Sequence, residues 1–217
     1  MSSQNMDQLT DIDLLFVQDG DDYLSLGKME DTFGQLLRED TDRFQRVVFV
    51  LVPPGSSMDR YHYYHPDGEQ HHQYVQMFDE ELSPQVRRSI GKNHLIRKTG
   101  LLGDSLGGVV SLVIALKRPL RWSHLLLQSA AFEHTFSLTS ESLYIDHWHI
   151  YQVVGQYEDH YRSQITGRTL HILTENRRLK YILEHTGASV SYYEEPKEHL
   201  WDFWREDLHR ALTYFTR

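Results

Sequence analysis

Residues 103–107 read Gly-Asp-Ser-Leu-Gly, a G-x-S-x-G pentapeptide set between an apolar run and a helical pattern. Thr99-Gly100-Leu101-Leu102 leads in, and Gly108 to Leu116 leads out, almost without a polar residue. A chain with this order must leave a strand, turn sharply and enter a helix with Ser105 at the apex. Cβ atoms at 103 and 107 would collide with neighbouring backbone in so tight a turn, which is why both positions are glycine. The pattern also predicts that Ser105 is presented beyond the end of a strand, where it can meet a ligand. A glycine-rich helix start with Ser105 as a simple N-cap is the bland reading of the same residues.

The chain around this turn alternates between strand and helix patterns. Ile12 to Val17 reads as a strand ending at Gln18-Asp19-Gly20. Leu26 to Leu37 has a helical period. Val47 to Val52 is a continuous β-branched and aromatic run, expected to be a strand buried on both faces, and Pro53-Pro54-Gly55 ends it. Gln73 to Ile90 reads as a helix interrupted near Ser83-Pro84. Leu95 to Leu102 enters the turn, and the helix after it runs to about Arg118. Strands follow at Trp122 to Gln128, Ile150 to Val154 and Ser189 to Glu194. Helices follow at Arg168 to Gly187, capped by its glycine, and at Leu200 to Phe215. This alternation predicts one α/β domain over residues 1–217, with a largely parallel sheet and helices on both faces. Ligands bind such sheets beyond the carboxyl ends of the strands. The turn at Ser105, the Gly155 loop and the Pro196 loop all belong to that edge.

Composition narrows the function classes. The formal charge of −9 argues against nucleic acid and against an anionic membrane surface as partners. Cysteine is absent, which removes disulfides, thiolate metal sites and a thiol nucleophile. Met1 to Asp7 has no basic region followed by an apolar core, and no apolar run approaches a membrane span. The expected location is the cytoplasm. The oligomeric state is left open, a homodimer included.

A serine hydroxyl needs a base to attack at neutral pH, and the base needs an orienting carboxylate. Among 14 histidines, His199 is the candidate base. It follows the Ser189–Glu194 strand and precedes the last helix, so it lies on the same edge as Ser105. The acid belongs after the Ile150–Val154 strand, where Glu158 and Asp159 both qualify. A tetrahedral intermediate also needs oxyanion donors. The backbone N–H of Leu106 is one candidate. Pro53 and Pro54 have no N–H, so Gly55 or Ser56 is the candidate in the loop after the Val47–Val52 strand.

Several segments together resemble the esterases of the enterochelin-esterase and esterase D type, a group with the α/β-hydrolase fold. Gly103-Asp104-Ser105-Leu106-Gly107-Gly108 is similar to that family's nucleophile motif with its double glycine. Leu15-Phe16-Val17-Gln18-Asp19-Gly20 is similar to its early strand and Asp-Gly turn. Asp59 to Pro66 resembles its segment with Arg before an aromatic residue and Pro. Val154 to Asp159 resembles the loop that bears the acid, and the resemblance places the acid at Glu158. His199, with Trp204 five residues on, resembles the terminal His and following Trp. The chain departs from the family at Pro196-Lys197-Glu198, where a glycine-rich approach to the histidine is usual, and its length leaves no room for a large cap domain.

The resemblance implies a carboxylic-ester hydrolase with Ser105, Glu158 and His199 as triad, Leu106 and Gly55 as oxyanion donors, no cofactor and no metal. The substrate is expected to be a small or medium ester. A thioesterase or acyltransferase would use the same triad, and a non-catalytic binding protein of the same fold is the competing class. His62, His65, His71 and His72 form a histidine-rich stretch without a recognised ligand pattern. Tyr61, Tyr63 and Tyr64 are candidates to wall a pocket or to pack over a core, and Trp201 and Trp204, at helical spacing, read as core. No dinucleotide fingerprint or phosphate loop is present.

Overall fold

The computed structural model describes residues 10–133 and 145–217. Met1 to Asp7, read above for a leader, lie outside them. The elements in chain order are β1 (Thr10–Gln18), α1 (Gly20–Ser25), α2 (Met29–Glu39), α3 (Thr41–Phe44), β2 (Val47–Val52), α4 (Ser57–Tyr64), α5 (His71–Met77), α6 (Ser83–Ile90), β3 (His94–Asp104), α7 (Ser105–Lys117), β4 (His124–Gln128), β5 (His149–Gly155), β6 (Tyr161–Arg162), β7 (Thr169–Leu170), α8 (Ile172–Glu184), β8 (Ser189–Glu195) and α9 (Trp201–Phe215). Six strands form one sheet in the order β2-β1-β3-β4-β5-β8, and every pairing is parallel. β6 and β7 form a separate antiparallel hairpin. This is the α/β-hydrolase type of architecture, with no large cap among the described residues.

The two-residue period of a strand sorts its apolar side chains between two helix layers. Leu14 and Phe16 of β1 pack on one face with Leu101, Leu125, Leu127 and Ile150, under α5, α7 and α8. Leu15 and Val17 pack on the other with Leu102, Leu126, Tyr151 and Val153, under α2 and α9. Burial on both faces explains why these strands read as unbroken apolar runs. β2 is the exception to the expectation. Among the described residues it is an edge strand paired with β1 alone, and all six of its residues are half-buried.

Other boundaries shift for local reasons. Lys28 takes a left-handed φ of 50°, which separates α1 from α2, so no single helix spans Leu26 to Leu37. A π-turn over Phe78–Leu82 joins α5 to α6 and brings Pro84 into the first turn of α6. Proline has no N–H to give to the preceding turn, and the Asp79 carbonyl there accepts from Arg121 Nη1 instead. α8 starts at Ile172 rather than Arg168, because Thr169 and Leu170 pair with β6 instead. α9 is anchored from below. Asp207, 4% exposed, accepts from Gln128 Nε2 on β4 and from the Tyr151 hydroxyl on β5. That anchor fixes the helix directly behind His199.

Candidate active site

β3 ends at Asp104, and Ser105 opens α7 with φ of 49°. The left-handed value turns the chain so sharply that a Cβ on Gly103 would lie 2.3 Å from the Gly107 carbonyl. A Cβ on Gly107 would meet a side chain rather than backbone, the Asp19 carboxylate at 2.7 Å. Both glycines are therefore required sterically. Leu106 follows in the first turn of α7, where backbone N–H groups have no intrahelical acceptor.

His199 arrives from the loop after β8. Its Nε2 lies 2.8 Å from Ser105 Oγ, and its Nδ1 lies 3.0 Å from Glu158 Oε2. A carboxylate oxygen only accepts, so Nδ1 carries the proton and Nε2 is left to accept from the serine hydroxyl. The imidazole is 8% exposed and is pinned between the Tyr161 ring at 4.3 Å and the Trp204 ring at 4.9 Å. Glu158 is fully buried. Its Oε1 accepts from the Gly155 N–H at 3.0 Å and from the Ser129 hydroxyl at 2.8 Å. Asp159 points elsewhere. It accepts from the Thr174 N–H and hydroxyl at 2.7 and 2.8 Å, capping α8. Lys197 of the charged approach reaches out to Glu206 on α9, and its carbonyl accepts from the Tyr157 N–H.

Under the turn lies a second set of charges. Arg60 of α4 donates from Nε and Nη2 to the two oxygens of Asp19, each at 2.7 Å. Nη2 is also 3.4 Å from the Asp104 carbonyl and 3.5 Å from its carboxylate. Asp19 and Asp104 are both buried, so one guanidinium serves two carboxylates. Burial, then the Asp19 charge, pushes the Asp104 carboxyl well up, with Arg60 pulling the other way. Burial opposes the charge on Arg60, but Asp19 and Asp104 outweigh it and its pKa is raised. Asp19 and Arg60 sat only in family-like segments of the sequence. Nothing local reveals that residues 41 apart form an ion pair.

A cavity of about 410 Å³ opens over Ser105. Leu106, Tyr61, Tyr161, His199, Trp201 and Trp204 are among the residues that line it. Both tryptophans thus face the cavity, although Trp204 is also core. Of the three tyrosines, only Tyr61 lines it. The Tyr64 hydroxyl accepts from the Asp19 N–H, and Tyr63 stacks on Tyr74. His65 faces the cavity and pairs with Glu133, which also accepts from Arg168 beside the β6–β7 hairpin. Gly55 is not among the lining residues. It follows β2, the outer strand, and β1 stands between β2 and the Ser105 strand. Ser56 beside it caps α4, its hydroxyl accepting from the Asp59 N–H.

Residues 3–215 match the protein family described as "Putative esterase". The chain belongs to this esterase family. It is 28% identical over 200 residues to the uncharacterized protein YjcH of Bacillus subtilis (strain 168), covering 92% of this chain and 82% of that one. The enterochelin esterase of Shigella flexneri superposes with a TM-score of 0.71 at 18% identity, over 96% of this esterase and 52% of the Shigella chain. S-formylglutathione hydrolase (FrmB) of Staphylococcus aureus superposes with a TM-score of 0.61 at 13% identity, over 97% and 83%. At these identities the structural likeness is one of fold. This esterase spans about half the length of the enterochelin esterase chain. None of its described helices is long and apolar enough to cross a membrane.

Proposed function

We propose that this esterase hydrolyses small or medium carboxylic esters through an acyl-enzyme on Ser105. His199 Nε2 takes the proton of the Ser105 hydroxyl as Oγ attacks the acyl carbon. Glu158 holds the resulting imidazolium in place. The backbone N–H of Leu106 stabilises the oxyanion, since it lies one residue past the nucleophile at the start of a helix. A second donor belongs to the Asp21–Asp22 backbone, because β1 and not β2 flanks β3, and Asp22 lines the cavity. His199 then returns its proton to the leaving alcohol, and water repeats the sequence on the acyl-enzyme. The observation that carries this reading is the continuous hydrogen-bond chain from Ser105 Oγ through His199 to Glu158. A cavity of about 410 Å³ suits a substrate of modest size.

Hydrolysis of p-nitrophenyl esters of graded chain length tests the reading. Ser105→Ala is expected to lower kcat by at least about 10³-fold with the fold unchanged, because one oxygen is removed and little packing. A fluorophosphonate is expected to label the wild-type serine and not the variant. Retention of most activity by Ser105→Ala, in preparations free of other esterases, overturns the assignment.

A further inference from the structure

We propose that Ser129, a residue outside the Ser105–His199–Glu158 chain, is a positioning residue that locks the Glu158 carboxylate in the orientation His199 needs. The inference rests on the triad reading above.

Ser129 directly follows β4 and is fully buried. Its N–H donates to the Val153 carbonyl of β5 at 2.8 Å, which holds it at the carboxyl edge of the sheet. Its hydroxyl sits between two groups of fixed polarity. The Trp204 indole N–H, a donor only, approaches Oγ at 3.0 Å. Glu158 Oε1, a carboxylate oxygen, lies 2.8 Å from the same Oγ. The hydroxyl therefore accepts from Trp204 and has its proton directed at Glu158. With the Gly155 N–H, Oε1 then holds two donors, and Oε2 alone is left for His199. A carboxylate held by one donor at Oε1 would be free to rotate off the imidazole axis.

The backbone supports the same conclusion. Ser129 has φ of 48°, a left-handed value that disfavours a residue with a Cβ. Glycine would adopt it without strain, yet the position carries a hydroxyl. Among the described residues, four non-glycine positions have positive φ, and Asp19, Ser105 and Ser129 are three of them. All three belong to the site, where tolerated backbone strain is most often found.

Two variants separate positioning from packing. Ser129→Ala removes the hydroxyl and keeps the strain, whereas Ser129→Gly removes both. Positioning predicts that both lose kcat by roughly 10- to 100-fold on p-nitrophenyl acetate, the effect of a small misplacement at the reacting centre. KM should stay within about two-fold, because Ser129 is not among the residues that line the cavity. Thermal melting should rank Ser129→Gly above Ser129→Ala, so that activity and stability part company. The downfield proton resonance of His199 Nδ1–H, identified by its loss in His199→Ala, should move upfield in both. Wild-type kcat in Ser129→Gly, or losses that follow the melting temperatures, overturns the proposal, as does an unchanged resonance. The resonance does not require turnover. Should Ser105→Ala keep its activity, the proposed reaction fails while the reading of Ser129 at Glu158 is still decided.

Discussion

Glu158 and Asp159 are adjacent carboxylates in one loop with unlike surroundings. Glu158 is sealed from water and meets three donors, from Gly155, Ser129 and His199. Asp159 turns outward to the first turn of α8. The two therefore respond differently to substitution. Glu158→Gln should lower kcat by about 10³- to 10⁴-fold, since an amide neither favours the Nδ1–H tautomer nor stabilises an imidazolium. Asp159→Ala should leave kcat within about two-fold and cost about 1 kcal/mol of stability, the usual effect of removing a helix cap. Steady-state kinetics and urea unfolding of the two variants check both. Equal kinetic damage in the two would mean the acid has been misassigned. Residue type and spacing do not distinguish the pair, because both carboxylates follow Gly155 within four residues; only the resemblance of Val154 to Asp159 to the family's acid-bearing loop favours Glu158.

At the level of elements, α4 is tied to the serine turn through a single guanidinium. Arg60 joins the end of β1 at Asp19 to the end of β3 at Asp104. Arg60→Met keeps the length of the side chain but leaves the buried Asp19 carboxylate without its bidentate cation. Breaking a buried pair in this way is expected to destabilise the protein by about 3–5 kcal/mol. Urea unfolding reads this directly, and a loss below about 1 kcal/mol, the range of exposed pairs, would refute the buried-cluster account. Periodicity located the six sheet strands and the longer helices but not α4 or the β6–β7 hairpin, and boundaries followed from longer-range contacts. α8 gives up residues 168–171 because Thr169 and Leu170 find strand partners at β6. The Val47–Val52 run looked like an interior strand, yet its apolar residues are half-covered at an edge, on which the outer layers close.

Across the whole molecule, the carboxyl edge of the sheet carries the site, and the amino edge carries a buried histidine. His124 opens β4, stacks on His149 at 5.0 Å and meets Phe215 edge-on at 5.3 Å. Burial, then the Lys98 ammonium and His149, pushes its imidazole down to about 3. The fold therefore holds His124 neutral, while the unfolded chain protonates it near pH 6.5. Its contribution is fully present above that pH and is lost as the pH falls toward 3, by about 1.4 kcal/mol per pH unit. Melting temperatures between pH 7.5 and 5 should fall less steeply for His124→Gln than for the wild type. Parallel curves would show that His124 is not the group responsible. This edge lies at the opposite end of the strands from Ser105, so kcat of His124→Gln at neutral pH should match the wild type.

What the amino-acid sequence determined by itself was set by short-range physics. The steric limit at Gly103, whose Cβ would meet the Gly107 carbonyl, dictates a strand, a turn and a helix around Ser105, whereas Gly107 answers to the tertiary contact with Asp19; apolar runs between helical periods dictate a parallel sheet buried on both faces. Reading one strand end after another also marks Ser105, the Glu158–Asp159 pair and His199 as candidates on one edge, and the family resemblance picks Glu158 from the pair. The tertiary structure alone decided which strands are neighbours. Placing β1 beside β3 brings Asp19 against Gly107 of the serine turn and Asp22 into the lining of the cavity, which does not include Gly55. It also decided the partners of each charge, Ser129 with Glu158 and Arg60 with Asp19. Those contacts join residues 29 and 41 positions apart, and the bond between His199 and Ser105 spans 94. Hydrogen bonds at such separations are made by the packing of the sheet, and no local pattern encodes them.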